Sequence, residues 1–595
     1  MLLGALDTAL KTATGKAAHP ALAVGGCARA RREGVVQRRG WSGIPRARRA
    51  LPCFRAVLLA ALLAPIPPPL LAQSDPATAD AGAARVIVKF KADSSLVSAK
   101  ALSPAAATAA RAADFGARVG LPMRAGATIS DLAQVVFASG VTSAELAQLL
   151  AQQSGVEYAV PDERRQIVAA PDDPLYAAGV PGNGPEVGQW YLRAPSGDVR
   201  SSLDIEAAWA VTTGSPGIVV AVVDTGVRYE HPDLLSVAVE GKLLPGYDMT
   251  SDPARANDGD GRDADPSDPG DWVTQAEFSQ RGGTFFHCTT SPANSSWHGT
   301  QLSGLIAALT NDGIGMAGVA PGVGVLPVRV LGKCGGYDSD IIAGMLWATG
   351  LPVPGVPANP YPARVINMSL GGDGACSAAY QDVVDQITAA GTVIVAAVGN
   401  SSGHAVAAPA NCRGVIAVSG LRHVGTKVGF ASLGSEVTIS APGGNCVNTA
   451  ANSPCLYPIL TTSDSGTTVP VSSIYTDSFN TSLGTSFSTP LVAGVAALVL
   501  SVQPAMTPQQ VSQLLQGTAR PFPPLGSISS SSTAPQCTAP QYNLLGRPID
   551  QLECYCTTTT CGAGMLDAGA ALVAAESAAS GPVSSSAPRT RHGPG

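Results

Sequence analysis

The chain has 595 residues, of which 45% are hydrophobic and 13% charged, with a net charge of −6. It is too apolar and too weakly charged for a disordered chain, and no apolar run reaches the roughly 20 residues that a membrane-spanning helix needs. Residues 1–72 hold 11 Lys/Arg against 2 acids, which leaves 26 against 41 for the rest. So acidic a body does not suit nucleic-acid phosphates.

Nine arginines and one acid lie between Arg29 and Arg55, ahead of the apolar run Val57–Ala64 and the small residues before Gln73. A basic segment, a short apolar run and small residues before a cut make an export signal, here spanning 1–72 with cleavage after Ala72. The apolar run stops at Pro65, too soon for a membrane anchor. Arg48-Arg49 is only a fragment of a twin-arginine signal. Export predicts a secreted, extracellular protein. Of 12 cysteines, Cys27 and Cys53 fall in the removed segment, and the remaining ten show no C-x-x-C spacing. Disulfides are therefore expected in place of a zinc site.

Residues 73–169, with a core at 85–168, read as a separate small α+β unit. Arg85–Phe90 alternates like a strand, Ser143–Gln153 has helical spacing through Leu146, Leu149 and Leu150, and Gly155–Val160 is a strand stopped by Pro161. A Pro/Gly/Asp-rich stretch at 169–188 reads as a linker. Over 170–576, apolar strand-like runs alternate with helical segments: Ile218–Val223, Gly324–Val330, Val365–Met368, Val393–Ala397 and Val415–Val418. Such continuous runs predict an α/β fold whose mostly parallel sheet is covered on both faces. The Ser/Ala/Pro-rich tail, 577–595, reads as disordered.

Three segments carry chemistry. Val219–Val223 leads into Asp224-Thr225-Gly226, which puts a carboxylate at the end of a buried strand, where it needs a partner. Ser296-Trp297-His298-Gly299-Thr300 precedes the apolar Leu302–Leu309. Gly484-Thr485-Ser486 with Pro490 opens Leu491–Leu500, apolar all round and so a buried helix. Taken singly, the Asp is a turn residue, the His a cap or core residue and the Ser a helix cap. Together, and in the order Asp, His, Ser, they resemble the subtilisin-like serine proteases, the subtilases (family S8), over most of 170–575. The likeness to secreted Gram-negative bacterial members extends to Trp297-His298 and Lys333-Cys334-Gly335-Gly336.

The resemblance implies a three-layer subtilisin-like fold and a serine endopeptidase acting on proteins and peptides. Ser486 would be the nucleophile, His298 the general base and then acid, and Asp224 the carboxylate that orients the imidazole. Asn400, in Ala396–Asn400, would donate its side-chain amide to the oxyanion beside the Ser486 N–H. Ser369, Leu370 and Gly371 would wall the first pocket and pair with an extended substrate, with Gly335 and Gly336 as the opposite rim and Ala407 in the floor. Small floor residues imply aromatic or large aliphatic side chains before the cut bond. Phe487, Gln301 and Leu491 depart from the family pattern without touching a catalytic role.

The same resemblance implies structural calcium. Asp173, Asp233 and Asp312 with the carbonyls of Thr310, Ile314 and Met316 would form one site. Asp258, Asp260, Asp263, Asp265, Asp268 and Asp271 repel one another unless neutralised, and calcium is the expected partner there too. It also implies the pairs Cys288–Cys334 and Cys376–Cys412; nearness in sequence suggests Cys446–Cys455, and Cys537, Cys554, Cys556 and Cys561 pair among themselves. The unit at 73–169 resembles the family's ferredoxin-like prodomain, an intramolecular inhibitor that assists folding and is cut near Ala169-Ala170. The expected product is a monomer without a membrane anchor. The rival reading is a catalytically silent subtilase-like binding protein. A chymotrypsin-type reading of Asp464-Ser465-Gly466 lacks its flanks, sedolisins need acids at 298 and 400, and no G-x-S-x-G elbow is present.

Overall fold

The computed structural model of the chain describes residues 84–92, 104–162, 170–177, 188–446, 455–477 and 479–579. The export signal 1–72, Ala169 and the tail beyond Ala579 lie outside the described residues.

The first described unit is built from β1 (Ala84–Phe90), the helix Pro104–Val119, β2 (Met123–Ser130), β3 (Ala133–Ala138), the helix Ser143–Ala151 and β4 (Val156–Pro161). Its antiparallel sheet has the order β2-β3-β1-β4. Alternation sets the buried face: Val86, Val88 and Phe90 of β1 are 0% exposed and cluster with Phe115, Leu146 and Leu150 of the two helices. The second helix opens on a reciprocal cap between Thr142 and Glu145. This is the small α+β arrangement expected of 85–168, with one more helix and two more strands than the sequence pattern marked.

The body is organised on a seven-stranded sheet: β5 (Val219–Asp224), β6 (Tyr247–Asp248), β7 (Gly324–Arg329), β8 (Val365–Met368), β9 (Val393–Ala397), β10 (Ile416–Leu421) and β11 (Ile439–Pro442). The order is β11-β10-β9-β8-β5-β7-β6, with every neighbour pair parallel. The strands are buried on both faces, as their unbroken Val/Ile/Ala runs require. One face packs on the helices His298–Ala307 and Thr485–Val502, the other on Asp338–Ala348 and Ala378–Ala389. The result is a three-layer α/β fold. By length and composition Thr485–Val502 passes as a membrane helix, but its apolar residues from Leu491 to Leu500 are 0% exposed, which marks the core helix of the body.

Two readings need correction. The stretch 169–188 is not simply a linker: Asp173, Leu175 and Tyr176 are buried, the last two in the main core. The tail boundary at 577 falls inside the helix Ala568–Ala579, whose Leu572 and Ala575 are buried.

Five disulfides tie the body: Cys288–Cys334, Cys376–Cys412, Cys446–Cys455, Cys537–Cys554 and Cys556–Cys561. The last two resolve the four C-terminal cysteines that the sequence left unassigned.

Candidate active site

After laying β5, its neighbour β7 and the edge strand β6, the chain crosses back to place β8 on the other side of β5. Such reversals open a crevice at the carboxyl ends of the strands. Asp224 ends β5 there, 0% exposed. Its Oδ1 accepts from the Thr225 N–H at 2.8 Å and from His298 Nδ1 at 2.8 Å. The Asp-Thr-Gly and His-Gly-Thr glycines follow from one close approach. A Cβ on Gly299 would stand 2.1 Å from the Gly226 oxygen, and Gly226 itself has φ +97°. Trp297, at φ 53°, starts the histidine helix and is held by its Nε1–H on the Gly466 oxygen at 2.7 Å.

Burial opposes a charge on His298. Asp224 outweighs it, with Asp271 and Asp268 behind, so the imidazole pKa is raised above its ordinary value.

Ser486 lies in the first turn of Thr485–Val502, where N–H groups lack intrahelical acceptors. Pro490 has no N–H to give to the Ser486 carbonyl, four residues back. Ser369 fills that gap, its hydroxyl donating to the Ser486 oxygen at 2.7 Å. The Ser486 hydroxyl in turn donates to the Ser369 oxygen at 3.2 Å. The nucleophile candidate thus rests on the wall strand instead of on His298, though both line one groove. Asn400 Oδ1 accepts from the Thr485 N–H at 2.9 Å and its hydroxyl at 3.0 Å, which leaves Nδ2 for the groove.

The groove has a volume of about 520 Å³. Ser369–Gly372 form one wall, Cys334–Gly336 the other, and Ala397, Gly399 and Ala408 the floor. Ala407 is buried and is not among the lining residues; the cis Ala408–Pro409 bond follows it. Ala408 and Gly372 exchange both main-chain bonds, which locks floor to wall. Sequence reading missed the far end of the groove: Leu331, Ile341, Asp338 and Tyr380, the last two joined at 2.9 Å. No motif marks them, because they come together only through packing of the helices Asp338–Ala348 and Ala378–Ala389.

The acidic loop is used differently from the expected cation cage. Asp258 pairs with buried Arg329, which also holds Asp248. Asp263 caps the Asp265 N–H, and Asp265 caps that of Ser267. Asp268, 1% exposed, accepts from the Thr225 hydroxyl at 2.8 Å, and that same hydroxyl oxygen accepts from the Gly299 N–H at 3.0 Å. Asp271 takes the Ser296 N–H and hydroxyl at 2.6 and 2.9 Å. Asp260 is exposed. Spread out in this way, the six do not converge: among the described residues no three carboxylates are close enough to share an ion. The loop instead braces both ends of the Asp224–His298 pair.

The other calcium candidates neighbour one another around Thr310–Met316, although by the same measure their three carboxylates do not converge on one point and the carbonyls would have to complete the set. Asp173 accepts from the Asn311 N–H, Asp233 Oδ2 from the Met316 N–H at 2.9 Å, and Asp312 from that of Ile314. Thr310–Met316 thereby wraps two buried carboxylates. Asp233 Oδ1 is buried without a well-formed hydrogen bond, although the Tyr475 hydroxyl faces the carboxylate, and burial pushes the Asp233 pKa up to about 7. An acid buried this way lacks a countercharge, so these oxygens fit a hard cation.

Comparison with known proteins agrees with this geometry. The model of the Subtilase family matches residues 215–547. An "Extracellular protease" of Xanthomonas campestris pv. campestris is 42% identical over 368 residues, covering 60% of this chain and 57% of the relative. An "Extracellular basic protease" of Dichelobacter nodosus is 39% identical over 378 residues, covering 63% and 56%. The chain thus spans about 57% and 56% of the length of these two relatives. A solved protease of Pseudoalteromonas arctica PAMC 21717 superposes with a TM-score of 0.54 at 40% identity, covering 68% of this chain and 100% of that one. Since the family match takes in more than half of the chain, and a crevice on a parallel sheet carries Asp224, His298 and Ser486 in the family's order, the chain belongs to the subtilase family.

Proposed function

We propose that the chain is a secreted serine endopeptidase, made as a precursor and stabilised by calcium. The observation that carries this reading is His298 Nδ1 at 2.8 Å from Asp224 in a groove that Ser486 and Asn400 also line. An extended substrate pairs with Ser369–Gly371, and a change of Ser486 rotamer carries its hydroxyl from the Ser369 oxygen to His298 Nε2. His298 takes the proton as Ser486 attacks the carbonyl, and Asp224 stabilises the imidazolium. The Ser486 N–H and Asn400 Nδ2 hold the oxyanion. His298 then gives its proton to the leaving amine, and water repeats the cycle on the acyl-enzyme.

A fluorophosphonate probe reacts only with an activated serine. It is expected to label the wild type at Ser486 and to leave Ser486→Ala unlabelled. No labelling of a folded wild type would favour the silent binding protein. The unit at 73–169 acts as an inhibitory prodomain, supported by its place ahead of the body and its α+β topology. Ser486→Ala secreted from a protease-null host should therefore keep its precursor N-terminus. The small floor residues support cleavage after aromatic or large aliphatic side chains.

His298 works as a base only when neutral, so its raised pKa places the acid limb of kcat/KM above about 6.5. Asp271→Asn removes one of the charges that raise it while keeping an acceptor for Ser296. The limb should move to lower pH, read from a pH–rate profile, and an unmoved limb would remove Asp271 as a cause.

Asp173, Asp233 and Asp312 with the Thr310, Ile314 and Met316 carbonyls would hold calcium, which supplies the missing countercharge and no chemistry. Excess chelator should lower the Tm of the wild type. It should lower that of Asp233→Asn much less, and an unchanged wild-type Tm would remove the site.

A further inference from the structure

Lys427 is 0% exposed, and among the described residues no carboxylate lies within ion-pair distance of it. Its Nζ instead donates to three carbonyls that follow it in the chain, those of Val428, Gly429 and Ala431, at 3.0, 3.2 and 2.9 Å. Burial pulls the ammonium pKa down to about 7, against the attraction of Glu553. Three acceptors suit the charged form, because a neutral amine has only two N–H groups. A charge taken out of water is costly, and here the chain winds a tight cage of carbonyl oxygens around it.

The wound segment abuts the oxyanion donor. The Phe430 oxygen accepts from the Ser402 N–H at 2.7 Å, and the Ala431 oxygen, already on Lys427, accepts from the Gly403 N–H at 2.9 Å. The Ser432 N–H donates to the Gly399 oxygen at 3.0 Å, and its hydroxyl oxygen accepts from the Ser401 N–H at 3.3 Å. Four bonds therefore bracket Asn400 on both sides, while Thr485 fixes its side chain from the helix. Lys427 is itself pinned from behind, its N–H on the Cys554 oxygen at 3.0 Å.

We propose that Lys427 is a positioning residue for the oxyanion site: its ammonium acts as a built-in cation that shapes residues 428–432, and these hold the loop carrying Asn400 in register with Ser486. This rests on the endopeptidase reading above.

The test is a double-mutant cycle on the secreted protein, reading kcat, KM and the rate of fluorophosphonate labelling, which counts only a protein's own serine. Lys427→Met should lower kcat and the labelling rate about tenfold, a fraction of the ~10²–10³ carried by the donor it places. KM should stay within about twofold. In an Asn400→Ala background the same change should add less than about twofold, because the group being placed is gone. Lys427→Arg, which keeps the charge, should recover part of the loss. If Lys427→Met does not fold, Ser432→Ala removes one strap bond and is read the same way, with a smaller loss that disappears without Asn400. Full multiplication of the two losses, or a lowered Tm with kcat intact, would overturn the inference. Failure of the wild type to label at all would instead remove the endopeptidase reading.

Discussion

Replacing Asp224 with Asn is expected to lower kcat by about 10⁴-fold with KM within about threefold. Asn is nearly the same shape, so the end of β5 keeps its fold, although an amide turned toward His298 gives up the Thr225 N–H that Oδ1 now accepts along with Nδ1. What changes is the proton on the imidazole. An Asn amide turned toward His298 donates to Nδ1, which puts the proton on Nε2, where Ser486 needs an acceptor. The charge that stabilises the imidazolium is lost as well. Steady-state kinetics on active-site-titrated enzyme would show this, and a loss under tenfold would mean that Asp224 does not orient the base.

Truncating Asn400 to Ala should cost kcat about 10²–10³-fold, or roughly 2.7–4 kcal/mol of transition-state stabilisation, and leave KM nearly unchanged. The ground-state carbonyl does not need the amide; the oxyanion does. Thr485 keeps its own helix position without the Asn400 acceptor, because Phe487 already closes the first turn on the Gly484 oxygen at 3.0 Å. A rise in KM matching the loss in kcat/KM would show instead that Asn400 only binds substrate.

The sheet was legible because buried parallel strands are continuous apolar runs: Val219–Val223, Val365–Met368 and Val393–Ala397 need no partner to be recognised. Strands β6 and β11 were not: β6 is two residues long, and β11, Ile-Ser-Ala-Pro, carries no continuous apolar run. The helix Pro104–Val119 escaped because its face is mostly Ala, with only Phe115 as a large buried anchor. The triad and Asn400 could be read because each sits in a short motif whose glycines and proline have local reasons. The bracing by Asp268 and Asp271, the cage around Lys427 and the Asp338–Tyr380 contact could not. Each joins side chains through contacts that only the folded sheet creates, and in isolation an acid-rich loop reads as a place for a metal.

The two serines that hold each other across the groove, Ser369 and Ser486, act as an interlock. In the resting molecule the attacking hydroxyl is stowed on the carbonyl that an incoming strand needs for its own N–H. Under the endopeptidase reading proposed above, arrival of a peptide main chain along that wall would displace the hydroxyl and turn it toward the base. On that reading, loading and arming are then one event.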